Sequence, residues 1–316
     1  MKKISIVIPT YNEELNVLPL VEVLTETFKN DLSQYDYEII FIDNKSKDST
    51  RDKLRIACAK DKRVKALLNA KNFGQFNSPY YALMQSTGDC TILLSADFQD
   101  PIDVIPKLVS EWEKGFRIVI GIKTTSKENK LMYFLRTCYY KGIRKMSDVE
   151  QIEHFTGFGL YDQSFIEVLR SLDDPSPYFR GIVAELGFER SEVEYAQAKR
   201  RAGKTSNNWY RLYDAGMLGI TSYTKALLRV ATIVGFIFSA ISFLVSIFYF
   251  VLKLIYWNQF AFGTAPIIIG IYLLGSIQIF FIGIVGEYIL NINTRIMNRP
   301  LVVVEQKLNF DEDEHQ

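Results

Sequence analysis

Over residues 1–125, short apolar runs alternate with segments whose apolar residues recur every three or four positions. The runs at 4–8, 38–42, 64–68, 91–94 and 117–122 are predicted strands, and 13–28 and 103–113 predicted helices. Such alternation builds βαβ units, and so an α/β domain with a mostly parallel sheet and helices on both faces. Residues 131–146 predict a further helix, with Arg136, Lys141, Arg144 and Lys145 on a basic face. The pattern over 155–200 is mixed.

Beyond residue 205 the pattern changes. Trp209, Leu212, Tyr213, Met217, Ile220, Tyr223 and Leu227 form a stripe at helical spacing. That helix either lies in a membrane interface or packs on the preceding domain. Residues 230–252 carry no charge between Arg229 and Lys253, and residues 266–286 carry none before Glu287. A helix rising about 1.5 Å per residue crosses a hydrocarbon core of about 30 Å in ~20 residues, so each run is long enough. Four regions are therefore expected: a cytosolic α/β domain at 1–204, an interfacial helix at 205–229, two transmembrane helices at 230–290 and a cytosolic tail at 291–316. Lys225 and Arg229 precede the first span, Arg295 and Arg299 follow the second, and the loop between has only Lys253. The positive-inside rule then puts the domain and both termini in the cytoplasm. The start Met1-Lys2-Lys3-Ile4 reads as a first strand, because the apolar run ends at Pro9 without a cleavage site.

The chain has 316 residues and a net charge of +1, which argues against nucleic acid as a partner. Its three cysteines lie far apart, without the spacing of a zinc site or a disulfide framework.

The chemistry gathers where predicted strands end. Ile92-Leu93-Leu94 runs into Ser95-Ala96-Asp97-Phe98-Gln99-Asp100-Pro101. Ligands of a parallel sheet bind outside the carboxyl ends of its strands. Asp97 and Gln99 are two apart, so extended backbone would aim both to one side. A carboxylate and an amide oxygen there suit Mg2+ or Mn2+, with substrate phosphates completing the shell; the alternative is a solvated turn. After the first strand, Pro9-Thr10-Tyr11-Asn12-Glu13-Glu14 reads as a strand-ending proline and a helix capped by Asn12. The same segment would place Tyr11 and Glu13 where a base or ribose could sit. After the second strand, Asp43 can accept from ribose or base donors, while Asp48 or Ser49 caps the next helix.

These segments, with Lys71-Asn72-Phe73-Gly74-Gln75, resemble the family-two glycosyltransferases of the GT-A fold. Within them the chain is similar to the polyprenyl-phosphate glycosyltransferases, the group of bactoprenol glucosyltransferases and dolichol-phosphate mannose synthases. The likeness continues through Tyr178-Phe179-Arg180-Gly181, Leu186-Gly187-Phe188, Arg201-Ala202-Gly203-Lys204-Thr205, Gly286-Glu287-Tyr288 and Asn298-Arg299-Pro300-Leu301. It implies nucleotide binding by Pro9, Tyr11, Glu13, Asp43, Ser95 and Ala96, and a metal and diphosphate held by Asp97 and Gln99. It also implies catalytic roles for Lys123, which stands where many members have arginine, and for Arg201 and Lys204 in a basic loop meeting phosphates. Three positions depart from the family: Asn44 replaces a second aspartate, Ser95 replaces the first acid of the metal motif, and Phe155-Thr156-Gly157-Phe158-Gly159-Leu160 replaces an acidic run.

The resemblance implies transfer of one sugar, with inversion, from a nucleotide sugar (UDP-glucose by default, with another hexose, an N-acetylhexosamine or a deoxysugar as the alternative that the altered run at 155–160 leaves open) to undecaprenyl or another polyprenyl phosphate. The setting would be the cytoplasmic face of the bacterial inner membrane, and the enzyme a homo-oligomer. A processive polysaccharide synthase and a non-catalytic scaffold are the competing readings. The first needs a membrane pore, for which two spans are few. The second is motivated by Ser95 and Asn44.

Overall fold

The computed structural model describes residues 1–125, 152, 155–198, 201, 216–219, 221–222, 226–255 and 264–310. The predicted helix at 131–146, Lys204 and most of the 209–227 stripe lie outside them. Residues 216–219 and 221–222 of that stripe are helical.

Strands and helices alternate as the pattern predicts. In order come β1 (Lys3–Thr10), α1 (Val17–Asn30), β2 (Asp36–Asp43), α2 (Thr50–Lys60), β3 (Val64–Asn69), α3 (Gly74–Met84), β4 (Cys90–Leu93) and α4 (Ile105–Glu113). Then follow β5 (Ile118–Thr125), β6 (Phe155–Asp162), α5 (Gln163–Leu172), α6 (Phe179–Glu185) and β7 (Arg190–Ala196). Two long helices, α7 (Ala226–Ile255) and α8 (Thr264–Ile296), precede β8 (Val304–Leu308).

The eight strands form one sheet in the order β7-β5-β6-β4-β1-β2-β3-β8. β4, β1, β2 and β3 run parallel, as do β5 and β7, while β6 and β8 pair antiparallel with their neighbours. Both faces are covered. Ile4, Ile6 and Ile8 of β1 pack with Leu20, Leu24, Leu54 and Leu108 of the helices on one side. Val7, Ile40 and Ile42 pack with Tyr80, Phe165 and Phe179 on the other. A sheet buried on both faces needs nearly continuous apolar strands, which is why these runs do not alternate with polar residues. The mixed stretch at 155–200 resolves into β6, α5, α6 and β7. Its run from Phe155 lies within the sheet, pairing with both β4 and β5.

Within α8, Leu273–Ile296 is long and apolar enough to cross a membrane, and none of that window is buried against the rest of the chain. At the end of α8, Arg295 Nη1 pairs with Asp174 Oδ1 at 2.8 Å, so this helix end touches the sheet domain.

Two local expectations are corrected. Pro9 does not end β1; it lies inside the strand, in register with Ile42. Pairing with β4 stops near Val7, where Leu94 N donates to Val7 O. Side alternation turns Pro9 toward the gap that β4 has left, where no donor is needed. Asn12 does not cap a helix over 13–28, because α1 begins only at Val17. Asn12 instead adopts a left-handed backbone, φ 58°, and its Oδ1 accepts from Lys47 N at 2.8 Å.

Candidate active site

The strand order runs outward from β1 in both directions, to β2 and β3 on one side and to β4 on the other. In an open α/β sheet such a switch point opens a crevice at the carboxyl ends, where ligands bind. The loops after β1, β2 and β4 border it. Each contains a non-glycine residue with left-handed backbone: Asn12 at φ 58°, Lys45 at φ 60° and Phe98 at φ 61°. For a bulky residue this costs on the order of 1 kcal/mol and persists only where neighbours fix it.

The first two loops are laced together. Asn12 N donates to Ser46 Oγ, Glu13 N to Thr50 Oγ1, and Glu14 N to Asp48 Oδ2. Ser49 N donates back to Glu14 Oε2. Asp48 Oδ1 also accepts from Thr50 N at 3.1 Å, so Asp48 does the capping work at the start of α2. Tyr11 is half-buried at this edge and Glu13 is buried, its Oε2 accepting from Asn16 Nδ2 at 2.6 Å.

Asp43 is fully buried at the end of β2. Its Oδ2 accepts from Arg51 Nε at 2.8 Å and from Ser46 N at 3.0 Å, and its Oδ1 from Ser46 Oγ. Asn44 beside it is buried as well, and its amide is used at both ends. Oδ1 accepts from Asn69 Nδ2, Phe73 N and Ser78 Oγ, while Nδ2 donates to Gly74 O at 3.0 Å. A carboxylate could accept all three but could not donate to the carbonyl. The departure from a second aspartate is thus matched by the loop at 71–75.

After β4 the chain does not stay extended. Phe98 turns the backbone, and Asp97 Oδ1 accepts from Gln99 N at 3.1 Å. The expected pairing of Asp97 and Gln99 along one side of an extended segment is therefore corrected. Gln99 joins this turn through its main chain. Asp97 is 9% exposed and Ala96 is buried. A second segment clasps the turn: Ala198 N donates to Gln99 O and Arg201 N to Asp97 O, both at 3.2 Å. The Arg201 guanidinium lies over the Phe98 ring, 5.0 Å from its centroid. Arg201 thus sits directly on the Asp97 turn, closer than its place in the sequence suggested. Lys123 lies in β5, in register with Tyr195 of β7, near the carboxyl end of that strand.

Ser95 Oγ is buried and has no hydrogen-bond partner among the described residues. With the Asp97 carboxylate two residues on, this unused oxygen fits a hard divalent cation. Among the described residues no group of three His, Cys, Asp or Glu side chains gathers. The described residues thus offer few ligands and would leave most of a shell to phosphates and water, as Mg2+ tolerates well.

Residues 5–186 match the model of glycosyl transferase family 2. The chain belongs to that family. It is 31% identical over 305 residues to the SfII prophage-derived bactoprenol glucosyl transferase of Shigella flexneri, covering 96% of this chain and 98% of that one. It is 30% identical over 305 residues to a prophage bactoprenol glucosyl transferase homolog of Escherichia coli K12, with coverages of 96% and 99%. Among solved structures, mannosyl-3-phosphoglycerate synthase from Rubrobacter xylanophilus aligns at TM-score 0.48 and 14% identity, over 74% of this chain and 75% of that one.

Three further residues of this family-2 crevice were missed by the sequence reading. Asp100 accepts from Ser95 N and from the Tyr195 hydroxyl, and so supports the turn from beneath. Arg51 orients Asp43. Tyr195 is 95 residues along the chain from Asp100, so only the fold brings the two together. Lys204 and its neighbours in the basic loop lie outside the described residues.

Proposed function

We propose that this family-2 glycosyltransferase is membrane-bound and metal-dependent. It would transfer one sugar, with inversion, from a nucleotide sugar to a polyprenyl phosphate at the cytoplasmic face of the bacterial membrane. The observation that carries this is the convergence of three loops on one switch point, the third holding a buried Asp97, in a chain similar almost end to end to bactoprenol glucosyl transferases. The glucosyl in those relatives' names makes UDP-glucose the first donor to try.

The division of labour follows from the loops. Tyr11, Glu13 and Asp43 would receive the nucleoside, and the Ser95–Gln99 turn the diphosphate. Asp97, with Ser95 and Gln99 near it, would hold a divalent ion, which neutralises charge developing on the leaving diphosphate. The acceptor needs little help to become a nucleophile, because a phosphate monoester has a second pKa of about 6 and is already anionic. One direct displacement inverts the anomeric centre, and no side-chain nucleophile is required. What remains for the protein is alignment of the two substrates. Arg201, seated on the Asp97 turn, and Lys204 would bring charge-assisted contacts to phosphate oxygens.

The path of the chain supports a two-span hairpin. β8 follows α8 yet pairs with β3 of the sheet built before α7. The segments on either side of the two helices therefore share one side of a membrane, and the number of crossings is even. If α8 crosses, α7 crosses as well.

The test is a screen of nucleotide sugars with undecaprenyl phosphate and Mg2+ or Mn2+, the lipid product identified by mass spectrometry. A single hexose on the lipid phosphate is expected. A polymer would favour a processive synthase, and no transfer from any donor would favour a scaffold.

A further inference from the structure

β8 is fixed to the sheet at both ends by contacts that do not involve Glu305. Before it, Ala70 N donates to Val303 O at 2.9 Å. After it, Asn309 Nδ2 donates to Cys58 O at 2.7 Å and to Val64 O at 2.8 Å. The strand then lies along β3 with Gln306 opposite Leu68 and Val304 opposite Asn69.

This placement carries Glu305 to the edge of the crevice. Its Oε2 accepts from Arg51 Nη1 at 2.9 Å and from Lys45 Nζ at 2.7 Å. Arg51 turns its other nitrogens inward, Nε to Asp43 Oδ2 at 2.8 Å and Nη2 to Asn69 O. The guanidinium is thereby held on three sides, by the second strand's buried acid, by the end of the third strand and by the last strand of the chain. A flat fork so held presents Asp43 in one orientation, which is what recognition of a ribose or base requires. The charges also balance: Lys45 and Arg51 against Asp43 and Glu305. Such a corner favours the uncharged nucleoside end of a donor and leaves the diphosphate to the Asp97 turn. Hydrogen bonds from Lys45 and then Arg51 hold the Glu305 carboxyl down at about 2, so it is ionised at neutral pH.

We propose that Glu305, arriving from beyond the long helices, is a positioning residue of the donor-nucleoside site, acting on Asp43 through Arg51. This rests on the nucleotide-sugar reading above. It makes the segment after α8 part of the donor site rather than a free tail.

The experiment uses the full chain in lipid nanodiscs, with UDP binding measured by calorimetry and donor kinetics measured alongside. Glu305→Gln keeps the shape and removes the charge. Because an exposed ion pair contributes only modestly, the expected result is UDP binding weakened about two- to fivefold. The donor KM should rise by a similar factor with kcat unchanged, and Glu305→Asp should recover part of the loss. Asn309→Ala is the control for docking of the strand alone: it should lower the melting temperature and leave UDP affinity as in the wild type. UDP affinity of Glu305→Gln equal to the wild type, in a wild type that binds UDP, overturns the role of Glu305 and leaves the donor reading standing. A wild-type chain that binds neither UDP nor GDP nor dTDP overturns both.

Discussion

The Tyr195 hydroxyl donates to Asp100 Oδ1 at 2.9 Å and so ties β7 to the turn that carries Asp97. Asp100 Oδ2 accepts from Ser95 N at 3.2 Å, so one carboxylate joins the start of the turn to a distant strand. Burial, and then the charge of Asp100, push the Tyr195 phenol well above its ordinary range, and it stays a donor. Tyr195→Phe keeps the ring against Phe158, 5.2 Å away between centroids, and removes only the hydroxyl, with its bonds to Asp100 and Thr156. A buried acceptor left unpaired costs about 1–3 kcal/mol. We expect that loss in chemical denaturation, together with a lowered kcat, because the turn is no longer fixed.

Asp97→Ala should abolish transfer while the fold survives. Its Oδ1 accepts from Gln99 N within the turn itself, so the alanine variant removes a turn contact and not an apolar core side chain. Unfolding close to that of the wild type, with loss of metal-dependent donor binding, is the expected pair of results. Turnover by the alanine variant with unchanged metal dependence would remove Asp97 from the site.

Asn44→Asp tests the departure from a second aspartate. The variant would place a carboxylate oxygen against Gly74 O, where an N–H now donates. A buried repulsion and a lost bond cost about 1–3 kcal/mol, legible as a shifted denaturation midpoint. Stability equal to the wild type would mean that the 71–75 loop moves to accommodate the charge.

Acid should weaken the fold through Glu38. This buried carboxylate accepts from Ser5 Oγ at 2.6 Å and Thr87 N at 2.8 Å, with Lys3 Nζ and Lys65 Nζ each at 3.0 Å. Burial raises its pKa, but these partners outweigh burial and bring it from 4.5 to about 2. A carboxyl depressed in the folded state stabilises above its unfolded pKa and loses that contribution as pH falls. The loss should run from about pH 4.5 down to about 2 and amount to the order of 3 kcal/mol. Denaturation across that range, beside Glu38→Gln, isolates it: the variant should show a flatter acid slope. An equal slope in both would assign the acid loss to other groups.

Both termini should face the cytoplasm, and the loop between α7 and α8 the outside. With Cys58, Cys90 and Cys138 replaced, single cysteines can be probed in intact cells by an impermeant reagent. Labelling is expected in the loop and not in residues 1–125. Labelling in the domain would reverse the orientation and deny the enzyme cytosolic donors.

The strands of the parallel half were legible because burial on both faces leaves a run of apolar residues that nothing else explains. The candidate loops were legible for the same reason, since polar residues that interrupt such runs mark the sheet edge. Conformation within those loops was not. Phe98 is a bulky residue in left-handed backbone, a state its own identity disfavours, and only the clasp by Ala198 and Arg201 accounts for it. Asn12 looked like a helix cap because its partner Lys47 belongs to another loop. Arg51 gave no signal either: its partners are Asp43, eight residues back, and Glu305, on the far side of two long helices.

β8 also settles the order in which the molecule can be completed. Strand β3 has β2 on one flank, and its other flank is covered by a strand that is synthesised only after both long helices. Until then, β3 presents a row of unpaired backbone groups, the kind of edge that recruits strands from other chains. A ribosome that stalls within α8 would release a domain with its core formed and one flank exposed. Closure of the sheet thus waits on the synthesis of both long helices, and β8 protects an edge that was built long before it.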